Sequence, residues 1–260
     1  MKNKKSLCAW CLVLIMMACS LPSFAQNTTK PANKWHILLE PYLMFPNMNG
    51  SSGLGTLPDA DVKADAGEIF SHVQMGAMLY TELYKGRMAF SSDFTYMKLK
   101  QDIAGKNGIL SGDATMKQLG WEVAALYKIK PWLEGGIALQ LNSIGSDINL
   151  VISSPNGSQS KSKSLTETWV DPSLVARVKF PLSKNQKWLL QFRGNIGGFG
   201  IGSDFYWQTQ GYVGYRFSHL FQLSAGYRVI AIDYEKGSDA DRFKYDMTTF
   251  GPVLRLGFNF

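Results

Sequence analysis

The sequence predicts an all-β fold, an up-and-down antiparallel transmembrane β-barrel of about ten strands. Three observations carry that prediction. From Trp35 onward apolar and polar residues alternate at every second position. They do so in segments of about 10–16 residues, the length of a tilted membrane strand with its extensions. The joints alternate between tight turns and longer polar loops, the pattern of a barrel with short turns at one end. Aromatic residues collect where segments meet the tight turns, and amphipathic rings favour the boundary between hydrocarbon and headgroups. A soluble sandwich or lipocalin-like barrel also alternates, but it turns its apolar face inward. Here the polar face carries Gln, Glu, Arg and Gly, which make a poor soluble core.

Composition bounds the same answer. The 260 residues include 15 Phe, 11 Tyr and 7 Trp, with 18% charged residues and mean hydropathy −0.09. Near-zero hydropathy argues against a helical membrane protein, whose spans need about 20 consecutive apolar residues. Few charges with many aromatics argue against disorder.

The first 25 residues read as a secretory signal. Lys2, Lys4 and Lys5 form a positive start, Leu7–Ala18 a short apolar run, and Ser23-Phe24-Ala25 a small-residue cleavage site before Gln26. Met16-Met17-Ala18-Cys19 also resembles a lipoprotein box, so lipidation at Cys19 stays open beside cleavage after Ala25. Cys8, Cys11 and Cys19 all fall in this segment, so the mature chain is expected to hold no disulfide or thiol nucleophile. Removing those three lysines lowers the formal charge from +7 to +4, which gives no ground for a nucleic-acid partner. Residues 26–34 then read as a short periplasmic tail and 35–260 as the barrel, with no second domain.

Ten segments follow, at 35–49, 73–84, 87–102, 114–128, 132–151, 165–181, 187–201, 204–217, 220–235 and 242–260. The last is clearest: Phe250, Pro252, Leu254, Leu256, Phe258 and Phe260 share one face, opposite Gly251, Val253, Arg255, Gly257 and Asn259. In the fourth, Leu119, Trp121, Val123, Ala125 and Tyr127 oppose Gln118, Gly120, Glu122 and Ala124. Tight joints fall at Lys85-Gly86, Ile129–Pro131, Leu182–Gln186 and Ser218-His219; longer ones at 50–72, 103–113, 152–164 and 236–241. Within the first long loop, Ile69, Phe70 and Val73 sit at helical spacing, which predicts a short helix over the barrel mouth. The expected girdle at the turn end is Trp35, Tyr84, Phe90, Tyr127, Trp132, Phe180, Trp188, Tyr215, Phe217, Phe221, Phe258 and Phe260.

The C-terminal stretch Val253–Phe260, alternating and ending on Phe, resembles the last strand of Gram-negative outer-membrane barrels. Trp35, Pro41-Tyr42-Leu43, the Gly-rich 50–55, Glu82, Gly86-Arg87, Asp93 and Tyr96 resemble a poorly characterised, porin-like group of such barrels. The resemblance implies fold and an outer-membrane location, with the barrel-assembly machinery reading the strand that ends in Phe260. It implies no activity. Outer-membrane lipid and lipopolysaccharide are the expected surroundings, with Lys161 and Lys163 placed to meet headgroup phosphates.

Assigning the polar face to the lumen yields the candidate site: Glu40, Glu82, Arg87, Asp93, Glu122, Glu134, Asp171, Arg177, Arg193, Arg216, Arg228 and Arg255. One half of the wall is mostly acidic and the other basic. Such charges either line a narrow pore with a transverse field, passing small polar solutes, or pair across a thin lumen and plug it. Ten strands enclose little more space than eight, which favours the plug. No cofactor is implied. The alternative is a hydrolase at the outer rim acting on lipid or peptide, with His72 near Asp59, Asp61, Asp65 or Glu68; His36 and His219 fall at the other end. The run Asp59-x-Asp61-x-Lys63-x-Asp65 departs from a calcium loop, with Lys63 at a ligand position and Ala64 where Gly is required. No metal site is expected.

Overall fold

The computed structural model describes residues 34–56, 58–104, 110–154 and 157–260. The expected signal segment with its cysteines, and all but the last residue of the expected tail, lie outside these. The elements are β1 (His36–Met44), β2 (Asn47–Leu54), β3 (Ala60–Ala64), α1 (Ala66–His72), β4 (Val73–Lys85), β5 (Met88–Ala104), β6 (Leu110–Lys130), β7 (Leu133–Ser154), β8 (Gly157–Pro181), β9 (Trp188–Gly197), β10 (Phe205–Arg216), β11 (Phe221–Lys236) and β12 (Phe243–Asn259).

Strands β4 to β12 pair antiparallel in chain order, and β1 closes the ring between β12 and β4. Leu38 of β1, for example, faces Asn259 on one side and Glu82 on the other. The result is a closed barrel of ten staves.

The first stave is broken. Both β1 and β2 run along β12, Leu38–Met44 against Val253–Asn259 and Asn47–Leu54 against Phe243–Phe250. The single strand expected at 35–49 therefore bends at Phe45-Pro46 and continues to Leu54. Pro46 has no N–H for the ladder, while the Phe45 N–H still donates to Pro252 O at 2.9 Å. Opposite the bend stands Gly251, where an added Cβ would lie 1.9 Å from Phe45 O. Only glycine admits that approach.

Two expected loops are mostly strand. The hairpins β5–β6 and β7–β8 stay paired out to Ala104↔Ser111 and Ser154↔Gly157, so most of 103–113 and 152–164 belongs to the ladder. Outside a bilayer no face need be apolar, so the alternation fades while backbone hydrogen bonding continues. The loop expected at 50–72 likewise holds β3, paired to β2, before α1. Conversely, β9 stops at Gly197 rather than 201. Its turn to β10 carries Gly198, Phe199 and Gly200 at φ of 84°, 54° and 72°.

The two faces separate cleanly. Phe90, Trp121, Ile137, Leu174, Phe192 and Leu254 project outward and stay exposed, forming an apolar exterior. At the turn end a chain of ring contacts runs along this exterior: Trp188–Tyr215 at 4.9 Å, Tyr215–Phe217 at 4.8 Å, Phe217–Phe221 at 5.4 Å and Phe221–Phe258 at 5.7 Å. Tyr84 is not part of it. It shares the inward face of Tyr80 and Glu82, and its hydroxyl donates to Asn259 Oδ1 at 3.0 Å.

Candidate functional site

Residues two apart on a strand share a face. Each inward face therefore delivers its side chains to one lumen, and they stack there in three zones.

The middle zone is an ion-pair layer. Arg177 Nη2 donates to Glu82 Oε1 at 3.0 Å while Nη1 engages Oε2, and Nε donates to Glu134 Oε2 at 2.5 Å. The Tyr80 hydroxyl donates to Glu82 and accepts from Arg177 Nη1 at 2.9 Å. Lys179 Nζ stands 3.5 Å from Glu82 and 3.9 Å from Glu134. Arg193 pairs with Glu122, whose other oxygen accepts from Asn195 at 2.7 Å and Gln208 at 2.8 Å. Arg228 Nη1 is 3.2 Å from Asp93 Oδ2 and donates to the Tyr42 hydroxyl at 3.0 Å. That hydroxyl in turn donates to Asp93 Oδ1 at 2.6 Å. Arg255 donates to Glu40 Oε2 at 3.3 Å, and its guanidinium lies 5.0, 4.9 and 4.2 Å from the rings of Tyr42, Tyr80 and Tyr212.

The acids come from β1, β4, β5, β6 and β7, the arginines from β8, β9, β11 and β12. Glu82–Arg177, Glu122–Arg193 and Asp93–Arg228 thus reach across the barrel, whereas Glu134–Arg177 and Glu40–Arg255 bridge neighbouring strands. Buried charges are tolerable only when paired and hydrogen-bonded. Arginine suits the task, since its planar fork engages a carboxylate through two donors and stacks on aromatic faces.

Three of the twelve residues expected in this network stand apart from it. Asp171 is buried but meets no cation among the described residues. It accepts from Ser203 N at 2.5 Å, Ser203 Oγ at 2.9 Å, Trp169 Nε1 at 3.0 Å and Asn142 Nδ2 at 2.9 Å. It fastens the β9–β10 turn to β8. Arg87 and Arg216 are exposed at the turn end and make no ion pair among the described residues. Sequence reasoning missed the three tyrosines around Arg255 and the Gln208, Gln210 and Asn195 amides. Their signal was their parity with the charges: Tyr42 follows Glu40 by two, and Tyr80 precedes Glu82 by two.

Toward the loop end the lumen turns apolar. Trp169, Tyr206, Tyr234, Phe243 and Tyr245 are buried in one cluster, into which α1 sends Ile69. Trp169 stacks on Tyr234 with ring centres 4.0 Å apart and planes 8° from parallel. The helix is held by a capping box: Asp65 accepts from Glu68 N at 2.9 Å and Glu68 accepts from Asp65 N at 3.2 Å.

Toward the turn end the lumen opens into a vestibule of about 400 Å³, floored by Glu40, Glu82, Glu134, Lys179 and Arg255.

The loop-end rim offers His72 no carboxylate among the described residues. Its Nδ1 contacts Glu68 O at 2.8 Å and Ser71 Oγ at 3.0 Å. Asp59 turns instead to Arg242 at 2.7 Å and Lys244 at 2.9 Å, whose hydrogen bonds hold its carboxyl down to about 2. The neighbouring residues 60–64 are extended in β3 rather than coiled into a loop.

These features define a transmembrane-type β-barrel whose lumen is occupied by its own side chains. No protein-family model matches the chain, and no curated protein matches it. Among solved structures it resembles the outer-membrane protease OmpT of Escherichia coli (6% identity, 91% of this chain and 99% of that one, TM-score 0.43). It also resembles Ail, the attachment invasion locus protein of Yersinia pestis (9%, 87% and 98%, 0.34). A third is Neisserial surface protein A (10%, 89% and 98%, 0.29).

Proposed function

We propose that the protein is a non-enzymatic outer-membrane β-barrel, closed along its axis at rest. Its role is structural, with passage of small polar solutes only when the charge layer opens. In this reading the tight turns and the girdle face the periplasm, the long hairpins face outward, and the exposed apolar band meets lipid. Lipopolysaccharide surrounds the outer hairpins, and the assembly machinery engages the strand ending in Phe260.

The observation that carries the reading is the ion-pair layer: Arg177 with Glu82, Arg193 with Glu122 and Arg228 with Asp93 span the lumen, and Arg177 with Glu134 and Arg255 with Glu40 tie neighbouring strands. A lumen of ten strands is narrow enough for side chains to fill, whereas aqueous porins use about 16–18. The hydrolase alternative has no comparable support, since His72 meets a backbone oxygen and a serine rather than an orienting acid.

Planar-bilayer recording of the refolded chain tests this. Wild type is expected to give no stable conductance steps, and a variant carrying Arg177→Ala and Arg255→Ala to give discrete ones. Stable steps from wild type would reject the closed lumen.

A further inference from the structure

We propose that the turn-end vestibule binds a small, multiply charged anion through Arg87, Lys128, Lys187 and Arg216. All four line the same bowl. Lys128 on β6 and Arg216 on β10 have the parity of the inward Leu126 and Tyr212. Arg87 and Lys187 stand one residue before β5 and β9, and Arg87 Nη1 donates to the Tyr127 hydroxyl at 3.4 Å.

They come in two adjacent pairs. Lys128 N donates to Arg87 O at 2.8 Å, and Arg216 N donates to Lys187 O at 2.8 Å. The first pair sits where β5 meets β6 and the second by β9 and β10, on opposite sides of the ring. The mouth is thus flanked by two positive poles facing each other.

Nothing described in the chain neutralises them. None of the four makes an ion pair among the described residues, and the acids of the floor are already taken. Glu82 and Glu134 are held by Arg177 and Lys179, and Glu40 by Arg255. Arg255, itself part of the floor, keeps a buried Nε with no hydrogen-bond partner. The bowl therefore holds unbalanced positive charge above a neutral floor. Low-dielectric walls focus such a field into the cleft and concentrate anions there.

Size limits the ligand. About 400 Å³ lies within the range of small-molecule sites, roughly 300–1,000 Å³. Two facing cationic pairs suit a compact solute with two acidic groups, phosphate or carboxylate, and Leu38, Met88 and Leu189 supply apolar wall. Because the ion-pair layer closes the axis above, the solute enters and leaves by the same mouth. That last point rests on the closed-barrel reading; the binding itself rests on the vestibule alone.

The test is calorimetric titration of the refolded full chain in zwitterionic detergent, with inorganic pyrophosphate in one arm and succinate in the other. Saturable one-site binding of either, weakened by salt, is expected, and the arm that binds names the acid group. Arg87→Gln combined with Arg216→Gln should weaken it by at least about tenfold, the loss of two charge-assisted contacts. Lys130→Gln combined with Lys184→Gln, at the same end but outside the bowl, should leave it unchanged. Heat-dependent gel mobility verifies that each variant is folded. No binding in either arm, unchanged binding in the vestibule variant, or equal loss in the control variant would each overturn the proposal. Conductance is measured separately, so failure of the closed lumen and failure of the anion site are distinguishable.

Discussion

Replacing Arg177 by methionine isolates the energetic core of the barrel. The side chain is 1% exposed, and Glu82, which takes both arms of its fork, is 3% exposed. Glu134 accepts from its Nε at 2.5 Å. Arg177→Met leaves two buried carboxylates with Lys179 as their nearest cation, at 3.5 and 3.9 Å. Breaking a buried pair from one side costs about 3–5 kcal/mol. The residual lysine places this case near the lower end, about 3 kcal/mol. Adding Glu82→Gln and Glu134→Gln removes the stranded carboxylates; Lys179 loses its partners too but is 29% exposed and reaches vestibule water, so the triple variant is expected to return to within about 1.5 kcal/mol of wild type. The assay is reversible urea unfolding in lipid vesicles, read as a shift in midpoint at constant slope. A loss below about 1 kcal/mol for Arg177→Met, the range of exposed pairs, would mean that water fills the lumen and the pairing argument fails. A triple variant as unstable as the single one would place the cost in packing rather than charge.

Two further outcomes follow from local geometry. Gly251→Ala forces a Cβ to 1.9 Å from Phe45 O, so the bend between β1 and β2 must open. A destabilisation of more than about 2 kcal/mol in the same unfolding assay is expected, against a near-neutral Gly86→Asn, whose turn position has φ 59° and open space around it. At the loop-end rim, the Asp59 carboxyl is lowered from 3.8 to about 2 by Arg242 and Lys244. A depressed carboxyl stabilises the folded form above its ordinary value, and that contribution fades as pH falls from 3.8 through about 2. Exchange protection of the β2–β3 amides, corrected for intrinsic rates, should decline over this window in wild type and stay flat in Asp59→Asn.

Much of this was legible one strand at a time. Alternation around Leu254 and Trp121 marked which side chains point outward, because a strand puts alternate residues on opposite faces whatever its neighbours are. The tight turn at Gly86 was legible for the same local reason. The helix at Ala66–His72 showed in the spacing of its apolar residues. The bend at Phe45-Pro46 was not, since it depends on Gly251, some two hundred residues away in sequence. Nor were the long loop-end hairpins: Ser158–Lys163 carries no apolar face, and its ladder to β7 becomes visible only with the partner strand in place.

The candidate charges divide in the same way. By itself, the chain determined that Glu82, Arg177 and Arg255 all belong to the inward face, because parity is a property of a single strand. Only the tertiary structure decided which of them meet. Closing ten strands into a ring sets the stagger between walls, and the stagger brings Arg177, already paired to Glu134 on the next strand, level with Glu82 across the lumen while leaving Arg87 and Arg216 at the mouth. Pairing across a lumen depends on the height and curvature of the whole barrel, and no stretch of sequence carries either.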